Sequence, residues 1–407
     1  MVVHMNKKKN LSFSKYYTFV TVLSPIMMMY NFGIATVTFL DAAIILGYVA
    51  VFFYHPIIKK TKLNVLMFFY TVMLFINLSV TGLYRDYEFM SVAFRTIRLV
   101  VYLLWGIWGG IGVFNGELAM KIWKAVCVFA TTLLIVQYIA LYLFNVSIPG
   151  YLPFLDLARD ELIEFTENLY ASSSARPRSI FAEPSQYGIY LTGFLMLAFL
   201  NTDYIISKRL IIFLYFGMIL SASTSAFLGV FLSFVFLCAF RLSQKKHIFS
   251  KANIWYLLLG IMVIGVVLVY NWQHFGALLE KIMTRLPASL NNRLSGWEVV
   301  IDRIHSEGLP EQMFGFGMDA DLIDSLDWTS SILKLWFYYG YIGIAIILFG
   351  LFWFLLQKKR SVTWLVISIV LIGFFTELLV SNWLVLFVPF IQFIDRGDKQ
   401  QEVSKCG

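Results

Sequence analysis

Charge is scarce in this chain: of its 407 residues only 14% are Asp, Glu, Lys or Arg, whereas roughly a quarter is usual for a soluble domain. The charges fall between apolar runs and never gather into a polar segment large enough to fold alone. With 59% hydrophobic residues and a mean hydropathy of +0.76, the chain carries more apolar surface than one globular core of this size can enclose. Lipid must solvate much of it. Cysteine is nearly absent too. Cys127 and Cys238 sit inside apolar runs and Cys406 in the polar tail, so no disulfide framework is implied. Ionisable groups within the apolar runs are few, and Asp41 and Glu377 fall near the end of a run or at a break in one. A channel or transporter normally carries such groups along its pathway, so the plain reading of these two is a polar group at the interface. No internal repeat is visible, which disfavours transporter folds built from inverted repeats.

The net charge of +8 does not describe a nucleic-acid patch, because the lysines cluster at the ends of apolar runs, as Lys7 to Lys9 and Lys59, Lys60 and Lys62 do. No small-residue cleavage site follows the basic N-terminus; Pro25, Met27 to Met29 and Tyr30 continue the run, so an uncleaved first span is expected. Windows of about 19 residues place further spans near 38–54, 63–83, 97–115 and 125–146, after a first at 16–35. A polar stretch, 147–182, then carries several acids and arginines but no lysine, and reads as a first large external loop. A sixth span is expected from Glu183 to Asn201. The run from Leu210 to Phe240 is long for one helix and short for two full crossings, yet basic residues flank it on both sides. It must go out and back, with its break at Ser221 to Ser225, where small polar side chains can satisfy freed backbone groups. A span near 253–272, a second large loop at 273–331, a span to Leu356 and two more between Val362 and Ile394 complete the count. The expected fold is all-α: one polytopic membrane domain over 1–407, about twelve transmembrane helices, two large periplasmic loops and both termini cytoplasmic.

The chemistry is expected in the two loops. In the first, Arg176-Pro177-Arg178-Ser179-Ile180-Phe181-Ala182-Glu183-Pro184-Ser185 runs into a helix start, with Pro184 suited to an early helical position and Glu183 near the positive dipole end. Two arginines so close can project forked, permanently charged donors toward one phosphate or diphosphate. Pairing of Arg176 and Arg178 with the acids of the same loop is an equal alternative. The second loop holds Arg285, Arg293, Trp297, Arg303 and His305, then Gly315-Phe316-Gly317 and the acids Asp319, Asp321, Asp324 and Asp327. That acidic run lacks the central glycine and closing glutamate of an EF-hand and reads as solvated. Gly340 and Gly343 suit close helix contact.

Taken in order, these pieces resemble the O-antigen polymerase (Wzy) family, within the wider polymerase and ligase group that acts on undecaprenyl-diphosphate-linked glycans. The resemblance covers most of the chain. It rests on the two outer loops, the Arg178 to Ser185 stretch with its arginine, Phe and Glu-Pro-Ser, and the Ser221 to Ser225 break. Arg293 with Trp297, the Gly315 to Gly317 turn and the Gly340 to Gly343 segment complete it. Related ligases carry a histidine just before the span with the last glycines; this chain has Asp327-Trp328-Thr329-Ser330 there, so no ligase-type histidine is carried over.

The resemblance implies a glycosyltransferase of a bacterial inner membrane with its active site facing the periplasm. A growing glycan would leave one undecaprenyl diphosphate and join the terminal sugar of another lipid-linked repeat unit, without cofactor or metal. Arg178 and Arg293, followed by Arg176 and Arg303, are then expected to clamp the diphosphate, with Arg285 and His305 lining the substrate site. Glu183 orients an arginine or takes the proton of the attacking hydroxyl, and Trp297 stacks on a sugar ring or anchors at the interface. Implied partners are the lipid-linked donor and acceptor, membrane lipid, a chain-length regulator and a flippase; nucleic acid is not among them. An O-antigen ligase is the nearest alternative. A metal-dependent lipid-sugar transferase using Asp319 and Asp321, and a flippase of lipid-linked oligosaccharide, rank lower.

Overall fold

A computed structural model describes residues 2–34, 37–54, 70–79, 89–108, 113–152, 154–158, 177–200, 206–221, 223–243, 297–298, 300–317 and 331–356, and near the C-terminus 363, 366–367, 369–370, 373, 383, 385–391 and 393–394. These residues are mostly helical. In chain order the helices are α1 (Val2–Met27), α2 (Phe39–Tyr54), α3 (Tyr70–Ser79), α4 (Phe89–Trp108), α5 (Gly116–Phe144), α6 (Pro184–Leu200), α7 (Lys208–Leu220) and α8 (Thr224–Ser243). They continue with α9 (300–306), α10 (Leu309–Phe314), α11 (Ser331–Leu356) and α12 (385–391).

The expected first span corrects at its outer end. The chain leaves the helix at Met27, not near residue 35, and folds into an antiparallel hairpin of β1 (Asn31–Ile34) and β2 (Val37–Thr38). An all-α description therefore omits one small element. The cause lies in Asn31-Phe32-Gly33-Ile34, where Gly33 takes a positive φ of 82° and its N–H is held by the Asn31 side chain. Thr38 then caps α2: its Oγ1 accepts the Asp41 N–H at 3.2 Å while the Asp41 carboxylate accepts the Thr38 N–H at 2.9 Å, a reciprocal pairing of two free donors. Asn115 caps α5 by accepting the Leu118 N–H at 3.0 Å, and Asn145 ends it in the left-handed conformation.

Two helical stretches among the described residues, Gly116–Leu141 and Ser331–Phe349, are long and apolar enough to cross a membrane. The first, at 26 residues, reaches about 39 Å against a hydrocarbon core of about 30 Å. Phe129, Val136, Ile139 and Leu143 stand exposed on α5, and Leu348, Phe349 and Phe352 on α11. Such surfaces are disfavoured in water and suited to lipid chains. The Leu210 to Phe240 run forms two helices, α7 ending at Leu220 and α8 starting at Thr224. At 13 residues α7 spans only about 20 Å. The Tyr215 and Ser233 hydroxyls lie 3.0 Å apart across the pair.

α6 sits at the centre of the bundle. Every residue from Tyr187 to Ala198 is buried, as expected of a helix apolar all round. Gly188 lets α8 approach until a β-carbon there would stand 2.6 Å from the Ala226 Cα, and a β-carbon on Gly229 would collide with the Thr192 hydroxyl. On another side Trp123 of α5 gathers Tyr190, Phe194, Phe387 and Phe390, with ring centroids 4.8–6.3 Å away. The turn carrying Arg178 therefore feeds into a helix buried from Tyr187 to Ala198.

Candidate functional site

Pro184 opens α6 at its first helical position, where its missing N–H costs no hydrogen bond, and the Glu183 carbonyl accepts from Gln186 and Tyr187. The Glu183 carboxylate accepts the Ser185 hydroxyl at 2.7 Å and remains half-buried at the positive helix end. Just before it, residues 177–182 form a tight turn closed by the Phe181 N–H on the Arg178 carbonyl. Phe181 drives into the core against Tyr187 and Tyr190, which pins the turn from below.

Arg178 is only 4% exposed. Its Nη1 donates to the Ala182 carbonyl at 2.9 Å, and its guanidinium lies 5.8 Å from the centre of the Tyr151 ring. Withdrawing a permanent cation from water is costly unless its surroundings compensate it. The neighbouring Ser179 takes a left-handed backbone (φ 59°), rare for a residue with a side chain. Three bonds to α5 hold it there. The Ser179 N–H donates to Gln137 Oε1 at 2.8 Å, its hydroxyl donates to the Ala130 carbonyl at 2.6 Å, and its own carbonyl accepts from Gln137 Nε2 at 3.4 Å.

A strap, residues 148–152, covers this turn. Gln137 Nε2 also donates to the Ile148 carbonyl at 3.2 Å, and Gly150 lies so close that a β-carbon there would collide with the Ser179 carbonyl oxygen. Beyond it the Leu152 N–H reaches the Tyr30 hydroxyl at 3.2 Å, and Leu157 bridges to Tyr30 beside the hairpin. Met29, Tyr30, Leu157 and Ala182 form a small apolar cluster that joins strap, hairpin and turn.

Arg303 lies on the exposed side of α9 and pairs with Glu307 at 2.6 Å, one helical turn on. His305 Nε2 lies 3.1 Å from the Tyr341 hydroxyl, and its ring is exposed. Trp297 packs against a cluster of Val300, Ile304, Phe316, Leu333 and Phe337. Gly340 interrupts α11 with φ 63° and ψ −167°, so it does more than allow the helix contact expected of it. The carbonyls freed by this break are taken up: Phe316 N–H bonds Phe337 O at 2.9 Å, Gly317 N–H bonds Tyr338 O at 3.1 Å, and Asn77 Nδ2 donates to Tyr338 O and also to Phe314 O at the end of α10. Phe316 and Phe337 stack with centroids 4.3 Å apart.

Thus Arg178 and Glu183 lie at the head of α6, whereas His305 faces Tyr341 of α11 and Arg303 is exposed on α9, paired with Glu307. Arg176, Arg285, Arg293, the acids Asp319 to Asp327 and the break at Glu377 to Asn382 lie outside the described residues. Among the described residues no group of three His, Cys, Asp or Glu side chains is placed to hold a metal ion. Sequence reasoning passed over Gln137 and also Lys334, a cation 5% exposed near the start of α11. A polar or charged side chain inside an apolar run was the signal for both. Asp41, expected at an interface, proves to be a node: besides capping α2 it accepts the Tyr102 hydroxyl at 2.7 Å and meets Arg98 at 3.4 Å. Compared with protein families, with curated proteins and with solved structures, the chain matches none.

Proposed function

We propose that this chain is a multi-pass glycosyltransferase of a bacterial inner membrane that polymerises a surface polysaccharide on the periplasmic face. It moves a growing glycan from undecaprenyl diphosphate to the terminal sugar of another lipid-linked repeat unit. The observation that carries the reading is Arg178: a nearly dry guanidinium, held on the Ala182 carbonyl just before the positive end of the central helix. In the reaction the bond from the anomeric carbon to the diphosphate breaks and one to the acceptor oxygen forms, so negative charge grows on the leaving group. A cation held out of water interacts with that charge more strongly than one in solvent and needs no reorganisation as it develops. Glu183 orients the guanidinium or accepts the acceptor's proton. The lipid-linked diphosphate reaches Arg178 when Tyr151 leaves the guanidinium face.

The test is polysaccharide display in cells whose own copy is replaced by Arg178→Ala or Arg178→Lys, at matched membrane levels of protein. Both variants should lose polymer and leave single repeat units on the lipid acceptor, since lysine keeps the charge but not the fork. In a purified assay with lipid-linked repeat units the alanine variant should fall by on the order of 100-fold or more. Unchanged polymer length and amount in Arg178→Ala would remove the diphosphate clamp and the enzymatic reading with it.

A further inference from the structure

Resting on that reading, we infer that Gln137 is a positioning residue for the transfer step, acting on Arg178 through the strained backbone of Ser179. Gln137 lies in the C-terminal third of α5, buried within a run of apolar residues. An unbonded amide there would be strongly disfavoured, so its bonds define what it does. The Oε1 atom accepts the Ser179 N–H at 2.8 Å, and Nε2 donates to the carbonyls of Ile148 at 3.2 Å and Ser179 at 3.4 Å. One side chain therefore ties the arginine-bearing turn and the strap above it to the same point of a long helix.

Ser179 has a φ of 59°, a conformation that a residue with a β-carbon adopts when its surroundings impose it. Arg178 precedes it directly, so the plane of the 178–179 peptide, and with it the direction in which the Arg178 side chain leaves the backbone, follows from this conformation. The hydroxyl bond to Ala130 reinforces it from the same helix. The neighbourhood has little room to compensate: Gly150 packs on the Ser179 carbonyl and Phe181 is fully buried three residues from Arg178. Without Gln137 the turn can relax toward a right-handed or extended Ser179, and the guanidinium swings off the leaving group. A displacement of about 1 Å suffices to cost on the order of 100-fold in rate.

The experiment uses the full-length protein, purified in detergent and assayed for polymerisation of lipid-linked repeat units, with membrane level and thermal midpoint recorded for each variant. Gln137→Met, which keeps the volume but none of the bonds, should lower kcat by roughly 10-fold to 100-fold with KM little changed. Adding Ser179→Gly should restore part of that loss, because glycine reaches a positive φ without strain and no longer needs to be held there. Should Gln137→Met fail to accumulate, Gln137→Glu gives the answer: it keeps an acceptor for the Ser179 N–H but turns an oxygen toward two carbonyls, and should also lower kcat. A wild-type kcat in the accumulating variant, or a loss that Ser179→Gly does nothing to recover, overturns the positioning role. Arg178→Ala assayed alongside separates the two levels. If it is inactive while Gln137→Met is fully active, only the inference on Gln137 falls; if Arg178→Ala is itself fully active, the functional reading and this inference fall together.

Discussion

Gly315 and Gly340 lie backbone against backbone: a β-carbon on Gly340 would stand 2.6 Å from the Gly315 nitrogen and 2.5 Å from the Met313 carbonyl carbon, and one on Gly315 would stand 2.5 Å from the Tyr339 nitrogen. Both take positive φ, 82° and 63°. The two glycines thus bring the turn after α10 against the break in α11, at a distance where the Phe316 and Gly317 N–H groups reach the freed carbonyls of Phe337 and Tyr338.

Gly340→Ala should therefore be destabilising for two reasons at once, backbone strain and a collision with main-chain atoms that cannot rotate away, about 3 kcal/mol together. Gly33→Ala isolates the first, since Gly33 has the same sign of φ but open space around it, and should cost about 1 kcal/mol. Thermal unfolding in one detergent checks the pair. Equal losses at the two positions would show that the backbone contact contributes nothing.

The crossing of α6 and α8 gives a second graded pair. At Gly188 the obstacle is the Ala226 backbone, whereas at Gly229 it is the Thr192 hydroxyl, whose own bond to the Gly188 carbonyl is 2.7 Å. A side chain can turn at the expense of that bond, about 1 kcal/mol; a packed helix backbone must move as a whole, about 2–3 kcal/mol. Gly188→Ala should lower the thermal midpoint more than Gly229→Ala. The reverse order would mean that α8 shifts freely on α6.

Parts of this architecture are legible in the sequence. The break at Ser221 to Ser225 follows from a run too long for one helix and a cluster of small hydroxyls within it, and Pro184 marks the start of α6 because only the first turn tolerates it. Length and composition suffice for such features. The hairpin strands are not legible in the sequence, because their residues read as a continuation of the apolar run and the irregularity within β1 depends on the φ of one glycine. The role of Gly340 is not legible, since no pattern in the sequence distinguishes a small residue at a helix contact from one that breaks the helix. For the candidate site, Arg178 and Glu183 could be placed at the head of α6 from local spacing. Gln137 could not be connected to them, because its partnership with Ser179 spans 42 positions and is created by the packing of two helices.

Asp41 tests whether a carboxylate in this fold works as structure. Its Oδ2 accepts the N–H and hydroxyl of Thr38, and its Oδ1 accepts the Tyr102 hydroxyl and faces Arg98. Asp41→Ala removes a helix cap and leaves the Tyr102 hydroxyl without its acceptor, a loss of about 2 kcal/mol. Asp41→Asn keeps one oxygen and should lose about half as much. If both variants were as stable as the parent but impaired in polymer formation, the carboxylate would instead belong to the reaction.

The strap over Arg178 can be tested at Gly150, where structure and accessibility respond together. The strap is tied at one end by Gln137 to the Ile148 carbonyl and at the other by Tyr30 to the Leu152 N–H, so a β-carbon on residue 150 cannot be absorbed by sliding the segment along its length. It must lift away from the Ser179 carbonyl, and Tyr151, next in the chain, lifts with it from the guanidinium face. Gly150→Ala should therefore cost about 1–3 kcal/mol of stability and make Arg178 react faster with an arginine-directed dicarbonyl reagent, followed by mass spectrometry of the 177–182 peptide. Phe154→Ala serves as the comparison, because that side chain is 76% exposed and bears no load in the strap. Enhanced labelling in Gly150→Ala alone identifies the strap as the cover of Arg178. Unaltered protection in Gly150→Ala would mean that something other than residues 148–152 keeps water from the guanidinium.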